Sequence, residues 1–290
     1  MSKVAFVHWY EPDDYYHWND GLRAALRILG EKHEIHSYTD TVDKRLLETK
    51  YDVVMAWGGS LSPEAGFLKA LDHPRKILLY AGGPLDRQHF EGINLVVIEN
   101  ELDRIEGTRT KLAFGTNTEL FRMQKSPTLW DGILPAAYAE WKRQALFADA
   151  LGSKGLLCGP KQEIETHCFK YPEERGCLVL PNVNQEILPY LYSSSYATVF
   201  TATRWGGCQR AILEGMACGI PTIVMSDAPK NAWYVMDSGM GFIVEPNPEA
   251  IKEAIHKIKQ HPWSTRQYVL ENWSEKKYAK GLDEALQSVF

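Results

Sequence analysis

The stretch Thr201–Asp227, TATRWGGCQRAILEGMACGIPTIVMSD, sets Arg204, the pair Gly206-Gly207, Cys208 and Gln209 ahead of a helix-period segment that carries one acid, Glu214. A glycine at 219, a proline-led apolar strand and Asp227 follow. A helix that begins near Gly207 presents unpaired backbone N–H groups and the positive end of its dipole. Glycines there let a diphosphate approach without a Cβ in the way. Arg204 adds a permanent charge with a two-pronged fork for phosphate oxygens. Glu214 serves a different group, because a carboxylate repels phosphate. Its neighbours Ala211, Ile212, Leu213, Met216, Ala217 and Cys218 are apolar, so much of this helix is expected to be buried, and a buried acid needs a partner. The vicinal hydroxyls of a ribose fit that need; an exposed helix position is the plain alternative.

Working outward, short apolar runs alternate with helix-period segments. VAFVHW (4–9), HEIHSYT (33–39), DVVMAWG (52–58), RKILLYAGG (75–83) and INLVVIEN (93–100) read as strands, with a helix around Asp20–Leu29. Gly58-Gly59 and Gly82-Gly83 close two of these runs, as tight turns or as strand ends turned towards a ligand. After Phe121 the pattern lapses into RMQKSPTLW, a polar stretch that reads as a linker. A second alternation follows: the strand DGILPAAY, the helix EWKRQALFADAL, the strands KGLLCG and GCLVLPN, the helix QEILPYLYSSS, and ATVFTAT before the opening stretch. The helix PEAIKEAIHKIKQH and a long amphipathic terminal segment from about Thr265 complete it. Strands punctuated by helices predict parallel α/β sheets. The chain is expected to divide into two Rossmann-like domains, residues 1–122 and 131–265, whose sheets face a central cleft, followed by a helical segment, 266–290.

The totals fit that division. A chain of 290 residues suits two domains better than one. With 44% hydrophobic and 24% charged residues and a net charge of −5, there is no general pull towards nucleic acid or anionic membrane. No apolar run nears the ~20 residues that span a bilayer, and the N-terminus enters a strand pattern directly, so a cytoplasmic protein without integral membrane association is expected. The five cysteines are odd in number and form no C-x-x-C pair. Free thiols are expected, with neither a disulfide framework nor a metal site.

The segment AILEGMACGIPTIVMSD resembles the signature of family-4-type retaining glycosyltransferases of the GT-B fold. Further pieces agree in order: FGTNTELF (114–121) is similar to the interdomain segment, EWKRQALFADAL to the segment with the phosphate-binding lysine, here Lys142, SGMGFIVEPNPEAIKEAI to the segment after the donor site, and NWSEKKYAKGL to the terminal helix. The resemblance spans about the last 180 residues, counted against the 290 of the chain. It implies a nucleoside-diphosphate sugar as donor substrate, UDP- or GDP-linked in first place, with no cofactor and no metal. The leaving diphosphate would be neutralised by Lys142, Arg204 and the amides near Gly207 and Cys208, and Pro181–Asn184, with Val183, would meet the nucleobase. Lys142, Arg204 and Glu214 are the expected catalytic residues; Arg143, Val183, Gly206, Gly207, Cys208 and Gln209 are expected to bind the donor.

Three departures stand out. Gly206 occupies the position of the family's first glutamate, which usually contacts the transferred sugar; Gln209 and Asp227 are the available substitutes. Ala136 and Ala137 stand where an arginine is common, leaving Arg143 or Arg204 to supply the charge. In place of a glycine-rich loop after the first strand stands HWYEPDDYYHWND (8–20). Rings beside carboxylates suit sugar recognition or base stacking, or else pack a domain edge. His8, Trp9, Tyr10 and Trp18 are the expected acceptor contacts. The acceptor is a hydroxyl on a glycan, a small molecule or a modified nucleic-acid base, the last disfavoured by net charge. A non-catalytic nucleotide-sugar-binding protein and a GT-B-fold sugar-nucleotide epimerase are the alternatives.

Overall fold

The apolar runs of the first hundred residues become parallel strands, and all but the edge run at 34–38 are buried on both faces. The computed structural model describes residues 1–8, 20–160, 166–203 and 209–290, the side chain of Gln209 excepted. These fall into two units, Met1–Gly115 with Ser274–Phe290, and Thr116–Trp273.

In the first unit β1 (Lys3–Val7), β2 (Glu34–Tyr38), β3 (Val53–Gly58), β4 (Lys76–Tyr80), β5 (Leu95–Ile98) and β6 (Thr110–Leu112) form one sheet in the order β2-β1-β3-β4-β5-β6, every pair parallel. The helices are α1 (Gly21–Leu29), α2 (Lys44–Lys50) and α3 (Pro63–Lys69). Alternate strand residues, among them Ala5, Val7, Val54, Ala56, Leu78 and Tyr80, pack with Leu47 of α2 and Ala65 and Leu68 of α3. Asp20 caps α1, accepting a hydrogen bond from the Arg23 amide at 3.1 Å.

In the second unit β7 (Gly132–Pro135), β8 (Gly155–Gly159), β9 (Leu178–Pro181), β10 (Thr198–Phe200), β11 (Thr222–Met225) and β12 (Gly241–Val244) are ordered β12-β11-β10-β7-β8-β9, again all parallel. Its helices are α4 (Gln144–Leu151), α5 (His167–Glu174), α6 (Leu188–Ser193), α7 (Gln209–Ala217), α8 (Pro229–Ser238), α9 (Pro248–Ile258) and α10 (Thr265–Asn272).

Two sequence expectations change. The terminal segment is two helices, not one run: α10 stays in the second unit, where Arg266 donates to the Phe121 and Ala217 carbonyls at 2.9 and 2.7 Å. The chain then turns at Trp273-Ser274, and α11 (Glu275–Ser288) packs with α1 in the first unit. There Asp283 accepts from Lys32 at 2.8 Å and lies 3.1 Å from His33 Nε2. The second change is in EWKRQALFADAL, which is a 3-10 turn (Glu140–Lys142) and then α4. Between them Arg143 adopts φ 51°, ψ 49°, the left-handed conformation that ends one helix before the next begins. Among the described residues no helix is long and apolar enough to cross a membrane, and Cys158, Cys168, Cys177 and Cys218 are buried and form no disulfide.

Candidate functional site

In the second sheet the chain starts at the centre, with β8 and β9 laid down on one side of β7 and β10 to β12 on the other. The order reverses between β7 and β10, and in open parallel sheets that reversal opens a crevice beyond the strand carboxyl ends. The segment that follows β7 carries Lys142, and the one that follows β10 is Thr201–Thr203. The two are sewn together. Thr201 Oγ1 donates to the Lys142 carbonyl at 2.7 Å, and the Thr203 amide donates to the Trp141 carbonyl at 2.9 Å. Arg143 Nε donates to the Thr201 carbonyl and Arg143 Nη2 to that of Ala202, the latter at 2.9 Å.

Lys142 is held with little freedom. It is 5% exposed, and its Nζ sits 4.1 Å from the centre of the Trp141 ring, a cation–π contact that fixes the ammonium beside an aromatic face. In the same two segments three buried polar atoms, the Tyr138 hydroxyl, Gln144 Oε1 and the Thr203 hydroxyl, have no hydrogen-bond partner among the described residues. Burial also raises the Tyr138 hydroxyl pKa, so it remains an O–H donor at neutral pH.

Arg143 is placed among the donor contacts by the sequence, and Asp227 among the substitutes for the missing glutamate. The structure pairs the two: Arg143 Nη1 and Nη2 each donate to Asp227 at 2.8 Å. Four of the five guanidinium N–H groups are thus engaged within the protein. Geometrically Arg143 is a brace that ties the start of α4 to the ends of β10 and β11, and the Lys142 backbone is fixed by that brace.

Glu214 is buried, 5% exposed, and here the partner that burial requires lies 22 residues back. Tyr192, fully enclosed on α6, donates its hydroxyl hydrogen to Glu214 Oε2 at 3.1 Å. The carboxylate in turn leaves its mark on its neighbours. Burial, and then the Glu214 charge, push the Cys158 thiol up to about 12 and raise Cys218 and Tyr192 as well. All three are neutral at physiological pH. The helix sits close to the sheet because residue 215 is glycine: a Cβ there would meet Thr198 Cγ2 at 2.4 Å. Gly219, at φ 89°, ends the helix in the left-handed conformation.

Val183 is half-buried after β9, next to Asn182 at φ 56°, whose amide donates to the Gly159 carbonyl at 2.8 Å. This turn draws the ends of β8 and β9 together. Arg204, Gly206, Gly207 and Cys208 lie outside the described residues, as does the Gln209 side chain; Gln209 begins α7.

The first sheet reverses its order between β1 and β3. His8 follows β1 there, 2% exposed, its amide donating to the Tyr38 carbonyl at 2.9 Å. Burial lowers its pKa to about 4, so the imidazole is neutral at physiological pH. The two glycine pairs meet at the ends of β3 and β4, where the Ser60 amide donates to the Gly82 carbonyl at 2.9 Å. Trp9, Tyr10 and Trp18 lie outside the described residues. Sequence reasoning missed Tyr192, Thr201 and Trp141. The first two carry no local signal, since their partners are brought to them by the fold; Trp141 had one, an aromatic ring adjoining the singled-out lysine.

Residues 154–280 match the family model for Glycosyl transferases group 1, a segment that contains Glu214, Gln209 and Val183. No curated protein matches the sequence. In structure, the chain is similar over its full length to sucrose-phosphate synthase from Thermosynechococcus elongatus, at 14% identity and a TM-score of 0.74, with 99% of that chain covered. A glycosyltransferase involved in avilamycin A biosynthesis aligns with 100% of this chain and 98% of its own, at 15% identity and a TM-score of 0.74. HepE of Anabaena, solved with UDP and glucose, aligns at 14% identity and a TM-score of 0.72 over 99% of this chain and all of its own. The architecture is therefore GT-B-like, two six-stranded parallel sheets with helices, and the family match on that architecture supports a glycosyltransferase.

Proposed function

We propose that this protein transfers a sugar from a nucleoside diphosphate, UDP in first place, to a hydroxyl acceptor, with retention of anomeric configuration and without a metal. The observation that carries this reading is the sewn crevice between β7 and β10: a buried lysine on one rim, a helix start on the other, and a buried carboxylate within that helix. UDP is preferred because HepE, a structural relative, was solved with UDP and with UDP-glucose.

The chemistry follows from the charges. Breaking the bond from sugar to diphosphate leaves added negative charge on the β-phosphate, and donors already fixed in place stabilise it without reorganising at the moment of reaction. Lys142 supplies a cation at that point. Arg204, the amides of Gly207 and Cys208, and the α7 start near Gln209 would receive the phosphates. Arg143 acts through Lys142, by holding the backbone of its turn. Glu214 accepts the ribose hydroxyls, with Tyr192 fixing its orientation. Val183 lies against the base. His8, neutral, would contact the acceptor, together with Trp9, Tyr10 and Trp18.

The test is a thermal-shift panel of UDP, GDP, ADP, CDP and TDP and their sugars on wild type and Lys142→Ala, followed by product analysis with and without acceptors. A nucleotide at a hundred times its Kd should stabilise wild type by about 2.7 kcal/mol. Loss of that response in Lys142→Ala is expected; an unchanged response removes the lysine from the site. Gly206, in the place of the first glutamate, favours one second reading, a nucleotide-sugar-binding protein without turnover. Binding with no product across a broad acceptor panel would favour it.

A further inference from the structure

The first unit contains a cavity of about 400 Å³, within the range of small-molecule sites. It runs along α1 and β2, from His8 at the end of β1 to Gly30 just past α1. Arg23 and Arg27, one helical turn apart on α1, both line it, with Glu34 and Ser37 of β2 opposite. The Glu34 carboxylate is engaged by basic side chains other than these arginines. Glu34 accepts from His36 at 2.7 Å and from Lys3 at 3.1 Å, and those two partners hold its carboxyl below the usual range. Arg27 makes no hydrogen bond or ion pair among the described residues and is exposed on the last turn of α1. Phe6, Leu26 and Ile35 supply apolar wall, and Ser37 and His8 supply uncharged hydrogen-bonding groups.

We infer that this cavity binds the acceptor and that the acceptor is an anionic monosaccharide: a sugar whose phosphate or carboxylate meets Arg27 and Arg23, whose hydroxyls meet His8 and Ser37, and whose C–H face lies on the apolar wall. A guanidinium fork matches phosphate and carboxylate oxygens in pairs. A neutral imidazole serves a hydroxyl as donor or acceptor without competing for the anion. The assignment rests on the transferase reading and names the substrate class for it.

The experiment is calorimetric titration of the full chain, wild type and Arg27→Gln, with glucose 6-phosphate, glucuronate, glucose and inorganic phosphate, and with UDP in parallel. At least one of the two anionic sugars should bind wild type tenfold or more tightly than glucose, and Arg27→Gln should lose about tenfold of that affinity. Which of the two binds better separates phosphate from carboxylate. Equal binding of glucose and both anionic sugars, or an Arg27→Gln protein with wild-type affinity for them, overturns the inference. So does inorganic phosphate binding as tightly as glucose 6-phosphate with glucuronate silent, since the sugar would then contribute nothing. Failure of UDP to bind while the anionic sugar still does strikes the transferase reading and leaves the anionic-sugar site standing.

Discussion

The two crevices beyond the reversal points of the two sheets are built differently. Between β7 and β10 the backbone is fixed by side chains from distant positions: Thr201 on the Lys142 carbonyl, Arg143 on the Thr201 and Ala202 carbonyls, and Asp227 on Arg143. Charge is concentrated there and its positions are set. Among the described residues between β1 and β3, His8 is buried and neutral, and the cations Arg23 and Arg27 stand on α1. A site that must stabilise a diphosphate at the same place in every turnover gains from preorganised charge. A site that must only seat a hydroxyl needs shape and a few hydrogen bonds. The difference between the two halves is the one expected between a donor side and an acceptor side.

The largest test of that contrast is Lys142→Ala. Turnover should fall about a hundredfold or more, the usual consequence of removing one fixed donor from a developing anion, and circular dichroism should be unchanged. An active variant with normal rate would make the β7–β10 crevice no more charged in function than its counterpart. Next comes Arg143→Lys, which cannot reproduce a fork bonded to two carbonyls and a carboxylate. Stability should drop by about 2 kcal/mol, read by urea denaturation, with turnover lowered as the Lys142 turn loosens. If turnover survives with stability lost, the brace serves the fold alone.

Tyr192→Phe is smaller. It removes a donor from a buried carboxylate, and about 1–2 kcal/mol is expected, with weaker nucleotide binding as Glu214 loses its fixed orientation. Equal nucleotide affinity in Tyr192→Phe and wild type would separate Glu214 from the ligand.

The smallest effect at neutral pH belongs to the first unit. With a folded pKa near 4 against about 6.5 when unfolded, His8 takes up its proton first in the unfolded chain. Its contribution to stability is level above about pH 6.5 and declines as pH falls from there towards 4. His8→Gln should flatten that part of the profile in denaturation curves taken between pH 4 and 7.5. The same slope in both proteins would show that His8 is not the insulated, neutral group described above.

What the sequence disclosed follows the same division. The alternation of apolar runs and helix periods was enough for two parallel sheets, because strands buried on both faces need continuous apolar runs. Within the stretch Thr201–Asp227 the burial of Glu214 and its need for a partner were legible; the close approach of α7 to β10 at Gly215 was not read. What joins distant positions was not. Arg143 meets Asp227 across 84 residues and Glu214 meets Tyr192 across 22, and no local pattern encodes either. The break at Arg143 escaped because every residue of EWKRQALFADAL tolerates a helix, and tertiary bonds to β10 override that propensity. Short elements such as β6 and α2 (Lys44–Lys50) carry too few residues to show a period. The cavity along α1 was invisible for the same reason as the brace: Arg23 and Arg27 read as an ordinary polar helix face until β2 is placed opposite.

The most direct measurement is a crystal structure with UDP bound. The expected result places the diphosphate within hydrogen-bond reach of Lys142 Nζ and at the start of α7, with the ribose hydroxyls on Glu214. UDP seated elsewhere, or a Glu214 carboxylate with no contact to the ribose, would contradict the assignment of the β7–β10 crevice as the donor site.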